Sequence, residues 1–195
     1  MSRFASPRLF VALRFSDEVN EALEDLVFES KGIKGANWSP SEQYHLTLRF
    51  IGDPGALNLH DIDRALREVR APAFHLNLKG TGHFPLRGDP ETLWVGVDDN
   101  PALSSLRNRV ESALTRTGLP PEGRKFHPHV TLANVKSADP RDVGRFQVIN
   151  GLFRLNDVAV TEFLLCSSVL KESGAVHTVE EAYPLDVAGE LMIDD

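Results

Sequence analysis

The chain has 195 residues, 42% hydrophobic and 25% charged, ordinary values for a globular domain with a sizeable core. Its formal net charge of −7, with no Lys/Arg block, excludes a broad non-specific nucleic-acid binder but not an enzyme holding one phosphate in a locally basic cleft. No apolar run reaches the roughly 20 residues of a membrane helix, no signal-like stretch follows Met1, and the single Cys166 excludes an internal disulfide. A cytoplasmic protein is the expectation, with no membrane contact and no obligate protein partner implied.

The apolar run Arg8 to Phe15 reads as a first buried strand. A helix follows from Ser16 to about Glu29, with Asp17 and Glu18 in its first turn, and Lys31-Gly32-Ile33-Lys34-Gly35 ends it. Trp38-Ser39-Pro40 leads into a strand from about Tyr44 to Ile51, closed by Gly52-Asp53-Pro54-Gly55. Ile62, Leu66 and Val69 recur at helical spacing across a helix of about Leu59 to Val69. Phe74, Leu76 and Leu78 alternate as a strand, and 92–97 forms another. A third helix runs from about Pro101 to Thr117, and the loop 118–125 contains Pro120-Pro121.

The plan then recurs. A strand over 126–135, a helix between Pro140 and Val148, and strands near 153–160, 162–170 and 175–183 complete the chain. The fold class expected is α+β: a bilobal, pseudo-duplicated pair of antiparallel sheets with outer helices around a central groove. Residues 1–185 form a single bilobal domain on this reading, and 186–195 an acidic C-terminal tail.

Each half of the chain carries one copy of a short pattern, His45-Leu46-Thr47-Leu48 and His129-Val130-Thr131-Leu132. Side chains alternate along a strand, so the His and Thr of each copy share one face while the apolar partners point into the core. With seven His, eight Thr and 25 Leu in 195 residues, one His-x-Thr-Leu is expected about 0.04 times by chance. Two copies are therefore a signal. Facing each other across a cleft, they supply an acid, a base and two hydrogen-bond donors, which suffices to cleave a phosphodiester without a metal.

At these residues the chain resembles the two-histidine (2H) phosphoesterase superfamily. Within it, the chain is most similar to the bacterial RNA 2′,3′-cyclic phosphodiesterases, also called 2′-5′ RNA ligases. Carrying the resemblance are Arg8-Leu9-Phe10-Val11-Ala12-Leu13, Tyr44 to Gly52, Thr92-Leu93-Trp94-Val95-Gly96 and Phe126 to Ala133. Hydrolysis of RNA or nucleotide 2′,3′-cyclic phosphate ends to 2′-phosphomonoesters is what it implies, with RNA or such a nucleotide as partner and no cofactor. It makes His45 the proton donor, His129 the proton acceptor, and Thr47 and Thr131 phosphate contacts. Two departures bear on substrate holding. Asn134 stands where relatives often carry Arg, and His177 follows a Gly turn where they often carry Tyr.

Around the quartet, Arg49 is expected on the strand face of His45 and Thr47, within reach of a phosphate or a neighbouring carboxylate. Arg124 and Lys125 precede the second motif and are candidate phosphate contacts, against a reading as solvated loop cations. His127 alternates onto the face of His129, so three imidazoles stand near one another; without a ligand carboxylate, zinc is disfavoured and no metal is expected. Trp94 and Phe84 are candidate base-stacking groups, although strand aromatics more often serve a core. Competing functions are a 2H phosphodiesterase for a different cyclic-phosphate nucleotide, with specificity in loops such as 80–89, and a non-catalytic RNA-end-binding module. RNA 2′-5′ ligation is the reverse activity through the same groups.

Overall fold

The computed structural model describes residues 8–28, 30–55, 59–84, 91–136, 139–171 and 174–187. In chain order the elements are β1 (Arg8–Arg14), α1 (Asp17–Phe28), β2 (Ala36–Trp38), a 3-10 turn (Ser41–Gln43), β3 (His45–Gly52), α2 (Leu59–Arg67), β4 (Phe74–Phe84), β5 (Glu91–Val97) and α3 (Pro101–Arg116). Then come β6 (His129–Val135), α4 (Pro140–Asn150), β7 (Arg154–Val160), β8 (Glu162–Lys171) and β9 (Gly174–Pro184). Local chemistry sets the helix starts. The Asn100 carboxamide accepts from Leu103 N at 2.9 Å and Pro101 occupies the first turn; Asp139 accepts from Arg141 N at 2.9 Å ahead of Pro140.

The strands join in the order β7-β4-β5-β6-β3-β1-β8-β9, with β2 added along β6. Every pairing between these strands is antiparallel. Between β6 and β3 only Leu46 and Val130 pair, whereas β1 with β3 and β5 with β6 pair over six residues each. The expected two sheets are thus two four-stranded halves hinged on a single residue pair, β3-β1-β8-β9 on one side and β6-β5-β4-β7 on the other. Each half has its motif strand innermost.

One face of both halves is sealed by the helices. Leu46 and Leu48 of β3, Val130 and Leu132 of β6, Leu23 of α1, Ile62 and Leu66 of α2, Leu103, Leu106 and Val110 of α3, and Phe146 of α4 belong to one continuous core. Each such side chain fully removed from water contributes roughly 1.5–3 kcal/mol. That shared core closes the hinge from behind and leaves the opposite face for His45, Thr47, His129 and Thr131, all half-buried.

Four local features differ from expectation. The short strand β2 and the 3-10 turn precede β3, where a plain lead-in was expected; Ser39 N donates to Leu132 O at 2.8 Å and continues the pairing of β2 with β6. Residues 126–128 lie outside β6, because Pro128 has no N–H to give a ladder. Near the C-terminus, Asp186 N donates to Ala71 O at 2.9 Å and Ala73 N donates to Asp186 O at 2.8 Å, so the chain is still held to the body there. Residues 80–84 of the expected specificity loop 80–89 instead continue strand β4, which runs to Phe84; 85–89 of that loop and 188–195 of the expected tail lie outside the described residues.

Candidate active site

The site grows from the register of β3 on β6. Because Leu46 pairs with Val130 in antiparallel sense, His45 falls opposite Thr131 and Thr47 opposite His129. Cross-strand neighbours stand about 5 Å apart and same-face residues of one strand about 7 Å. The four side chains therefore surround one patch, with imidazoles on one diagonal and hydroxyls on the other. Among the described residues no other side chain holds either hydroxyl.

The two strands share a further irregularity. Ala12 pairs with Thr47 and Val11 with Arg49, and likewise Trp94 pairs with Thr131 and Leu93 with Ala133. Each motif strand thus carries one extra residue directly after its Thr, a β-bulge that turns two successive side chains inward. Leu48 and Arg49 are buried, as are Leu132 and Ala133. This corrects the expectation for Arg49, which does not share the face of His45 and Thr47. Its Nε lies 2.7 Å from Glu111 Oε2 of α3, and its Nη2 donates to Pro120 O at 2.6 Å. Glu122 Oε2 stands 3.5 Å from its Nη1. Its guanidinium thus meets neighbouring carboxylates, one of the two partners expected for it, and fastens the loop ahead of β6, while the side chain also borders a cavity with Thr47 and His129.

Each motif imidazole is oriented by a backbone carbonyl two residues upstream, at 2.7 Å in both cases: His45 Nδ1 on Gln43 O and His129 Nδ1 on His127 O. A carbonyl oxygen only accepts, so Nδ1 carries the hydrogen and Nε2 is the nitrogen left to exchange protons. Burial pushes the His45 imidazole down to about 4; the Gln43 carbonyl pulls upward, and His177, Arg14 and His129 push further down. His129 is lowered too, first by burial and then by His127. No carboxylate contributes to either shift.

Aromatic rings flank both imidazoles. Phe10 lies 5.1 Å from His45 between centroids, and Phe84 lies edge-on to His129 at 4.9 Å. His177 of β9 stands edge-on to His45 at 4.9 Å and to Phe10 at 5.0 Å. Its own pKa is lowered by burial and then by Arg14. The sequence marked His177 only as a departure from relatives, and Arg14 not at all; that β9 folds back beside β3 through β8 and β1 is a property of sheet order alone. Trp94 serves packing instead: a β-carbon at Gly82 would overlap its ring, and the indole lies 5.1 Å from His127. His127 itself is exposed, 6.2 Å from His129 between centroids. Among the described residues no group of three His, Cys, Asp or Glu side chains could hold a metal ion.

A cavity of about 630 Å³ opens over three of the four, bordered by His45, His129, Thr131 and His177 and by the neutral polar side chains Asn37, Ser39, Gln43, Thr92 and Asn134, while Thr47 borders the neighbouring cavity. Asn134 thus faces the groove without charge, its carboxamide 3.4 Å from Thr92 Oγ1. Arg124 borders this cavity and also a neighbouring one that Lys125 lines. Arg124 is exposed and bonded to Glu122, Nε to Oε1 at 3.2 Å. Lys125 is exposed and has no ion-pair partner among the described residues.

Comparison with known proteins agrees with this arrangement. Residues 15–165 match the 2′-5′ RNA ligase superfamily. A protein of Archaeoglobus fulgidus named RNA 2′,3′-cyclic phosphodiesterase is 30% identical over 172 residues, spanning 87% of this chain and 96% of its own. The crystal structure of TT0787 of Thermus thermophilus superposes with a TM-score of 0.74 at 28% identity, over 91% of this chain and 97% of that one. Escherichia coli LigT complexed with 3′-AMP superposes with a TM-score of 0.70 at 25% identity, over 92% and 99%. Among the described residues no helix is long and apolar enough to cross a membrane.

Proposed function

This chain belongs to the 2′-5′ RNA ligase superfamily, and we propose that it hydrolyses 2′,3′-cyclic phosphate ends of RNA to 2′-phosphomonoesters by histidine acid–base catalysis, without a metal. The observation that carries this reading is the antiparallel register of β3 on β6, which sets each imidazole opposite the other motif's hydroxyl. Displacement at phosphorus is in line, so base and acid belong on opposite sides of the phosphate. The diagonal meets that demand. His129 Nε2 takes a proton from water as its oxygen bonds to phosphorus, the P–O3′ bond breaks, and His45 Nε2 gives its proton to O3′. Thr47 and Thr131 donate to the non-bridging oxygens, where charge grows in the transition state. Solvent exchange restores both imidazoles. Relatives named for this activity support the substrate class. Single domain organisation and a cytoplasmic setting belong to the same proposal.

The test is a short RNA ending in a 2′,3′-cyclic phosphate, incubated with the protein in EDTA, with His129→Ala alongside. Rapid release of a 2′-phosphate end by the wild type, lost in the variant, is the expected result. Binding without turnover would favour an RNA-end reader, and turnover only on adding metal would overturn the metal-free mechanism.

A further inference from the structure

The groove does not end at the quartet. Beside Thr47 and His129 a second cavity of about 290 Å³ opens, lined by three aromatic rings, Phe50, Phe84 and Phe126, by four arginine and lysine side chains, and by the carboxylate of Glu122. It is continuous with the site, since Phe84, Arg124 and His129 border both cavities. Its chemistry differs sharply from that of the other end, where neutral amides and hydroxyls prevail and Arg124 is the one cation.

Two further observations point to what this end is for. Arg49 and Arg107 face Glu111 from below, at 2.7 and 3.7 Å, and Glu122 lies against Arg49 and Arg124. Four arginine and lysine charges thus meet two carboxylates, a local positive excess on a chain of net charge −7. Phe50, meanwhile, keeps 40% of its surface in water although it lies on a strand in the middle of the sheet. An open ring beside a positive excess, here with Lys125 as the cation that no carboxylate meets among the described residues, is how proteins bind single-stranded nucleic acid, the base stacked and its phosphate neutralised. A cavity this small, near the lower limit of roughly 300 Å³ for ligand pockets, has room for one nucleotide unit and no more.

We propose that this cationic, aromatic cavity is the subsite for the nucleotide immediately upstream of the RNA terminus, so that the substrate is an oligonucleotide end in preference to a free nucleoside cyclic phosphate. Lys125 and Arg124 face the phosphate joining the last two nucleotides, and Phe50 stacks the penultimate base. The inference rests on the proposed hydrolysis and adds to it the length of RNA that is read.

The experiment compares kcat/KM for a nucleoside 2′,3′-cyclic phosphate with that for a dinucleotide ending in the same cyclic phosphate. Wild type, Phe50→Ala and Lys125→Ala are assayed at 50 and 200 mM salt. Stacking of one base on one ring is worth roughly ten- to a hundredfold, so the wild type should favour the dinucleotide at least tenfold. Phe50→Ala should cut that ratio to within about threefold of unity, and Lys125→Ala should lower it and flatten its dependence on salt. Equal kcat/KM for the two substrates, or variants that lower both in parallel, would overturn the subsite while leaving the hydrolase intact. Failure to turn over either substrate would overturn the hydrolase reading and the subsite with it.

Discussion

His45 and His129 meet their substrate already stripped of protons. Burial lowers both, His45 to about 4, so at neutral pH the empty site holds two neutral imidazoles. The proposed acid must therefore acquire its proton along with the phosphate. One negative charge about 4 Å from Nε2 contributes roughly 4 kcal/mol at an effective dielectric near 20, about a thousandfold in proton affinity. That suffices to return His45 to the neutral range. Calorimetric titration of an RNA 2′-phosphate at pH 7.5, in buffers of different ionisation enthalpy, should accordingly show net proton uptake, and His45→Ala should abolish it. Uptake of no proton would contradict substrate-driven charging of the acid. For the hydroxyls, Thr47→Val and Thr131→Val should each lower kcat by about a hundredfold with a smaller change in KM, the effect of losing one donor to a developing oxyanion. At this scale the sequence spoke clearly about four residues, because a repeated pattern with strand periodicity needs no tertiary information. His177, Arg14 and Phe10 reach His45 only through strand order, and nothing local to them announces it.

At the scale of elements, the same bulge after each Thr explains why the strand-face argument holds for His and Thr yet fails for Arg49. Strict alternation carries a residue at i+4 to the face of i, and one inserted residue reverses that. The consequence is structural. Arg49 joins β3 to α3 through Glu111 and to the loop ahead of β6 through Pro120 and Glu122, and Glu111 also accepts from Glu122 N at 2.9 Å. That loop delivers His127, whose carbonyl orients His129. Removing the guanidinium leaves Glu111 and Glu122 short of their partner in a poorly hydrated place. Arg49→Met should cost about 3 kcal/mol or more in chemical denaturation and lower kcat through misplacement of His129, while Arg49→Lys should recover part of the stability. An Arg49→Met protein of wild-type stability would contradict this role. Most helices and strands could be read from periodicity within two or three residues. β2 could not, since three residues with no repeat owe their pairing wholly to β6.

The whole molecule is two similar halves closed on one another, and the cost of burying imidazoles at the seam is paid for by the common core behind it. That cost has a pH signature. The folded state holds His45 neutral down to about 4, whereas an unfolded histidine protonates near 6.5. Below 6.5 the unfolded chain binds the extra proton, so stability is fully present above pH 6.5 and is lost progressively as pH falls toward 4. The loss from His45 approaches about 3 kcal/mol, and the lowered His129 and His177 add to it in the same direction. Urea denaturation at pH 7.5 and 4.5 should show this decline, and His45→Phe should shrink it; an unchanged decline in that variant would place the acid sensitivity elsewhere. The α+β class, the duplication and the central groove could all be anticipated from the order of elements and the paired motif. That the halves share one core and pair through Leu46 and Val130 alone could not, because pairing register between distant strands leaves no trace in local sequence.

The central claim is that His45 and His129 divide one proton transfer between them across a phosphate held by Thr47 and Thr131. The most direct test is the single-turnover rate of cyclic-phosphate hydrolysis from pH 5 to 9 for the wild type, His45→Ala and His129→Ala. A bell-shaped profile is predicted for the wild type. His129→Ala should lose the limb that rises with pH, His45→Ala the limb that falls, and each variant should be slower by roughly 10²- to 10⁴-fold. A rate within tenfold of wild type in either variant, or both limbs surviving in both variants, would contradict the account.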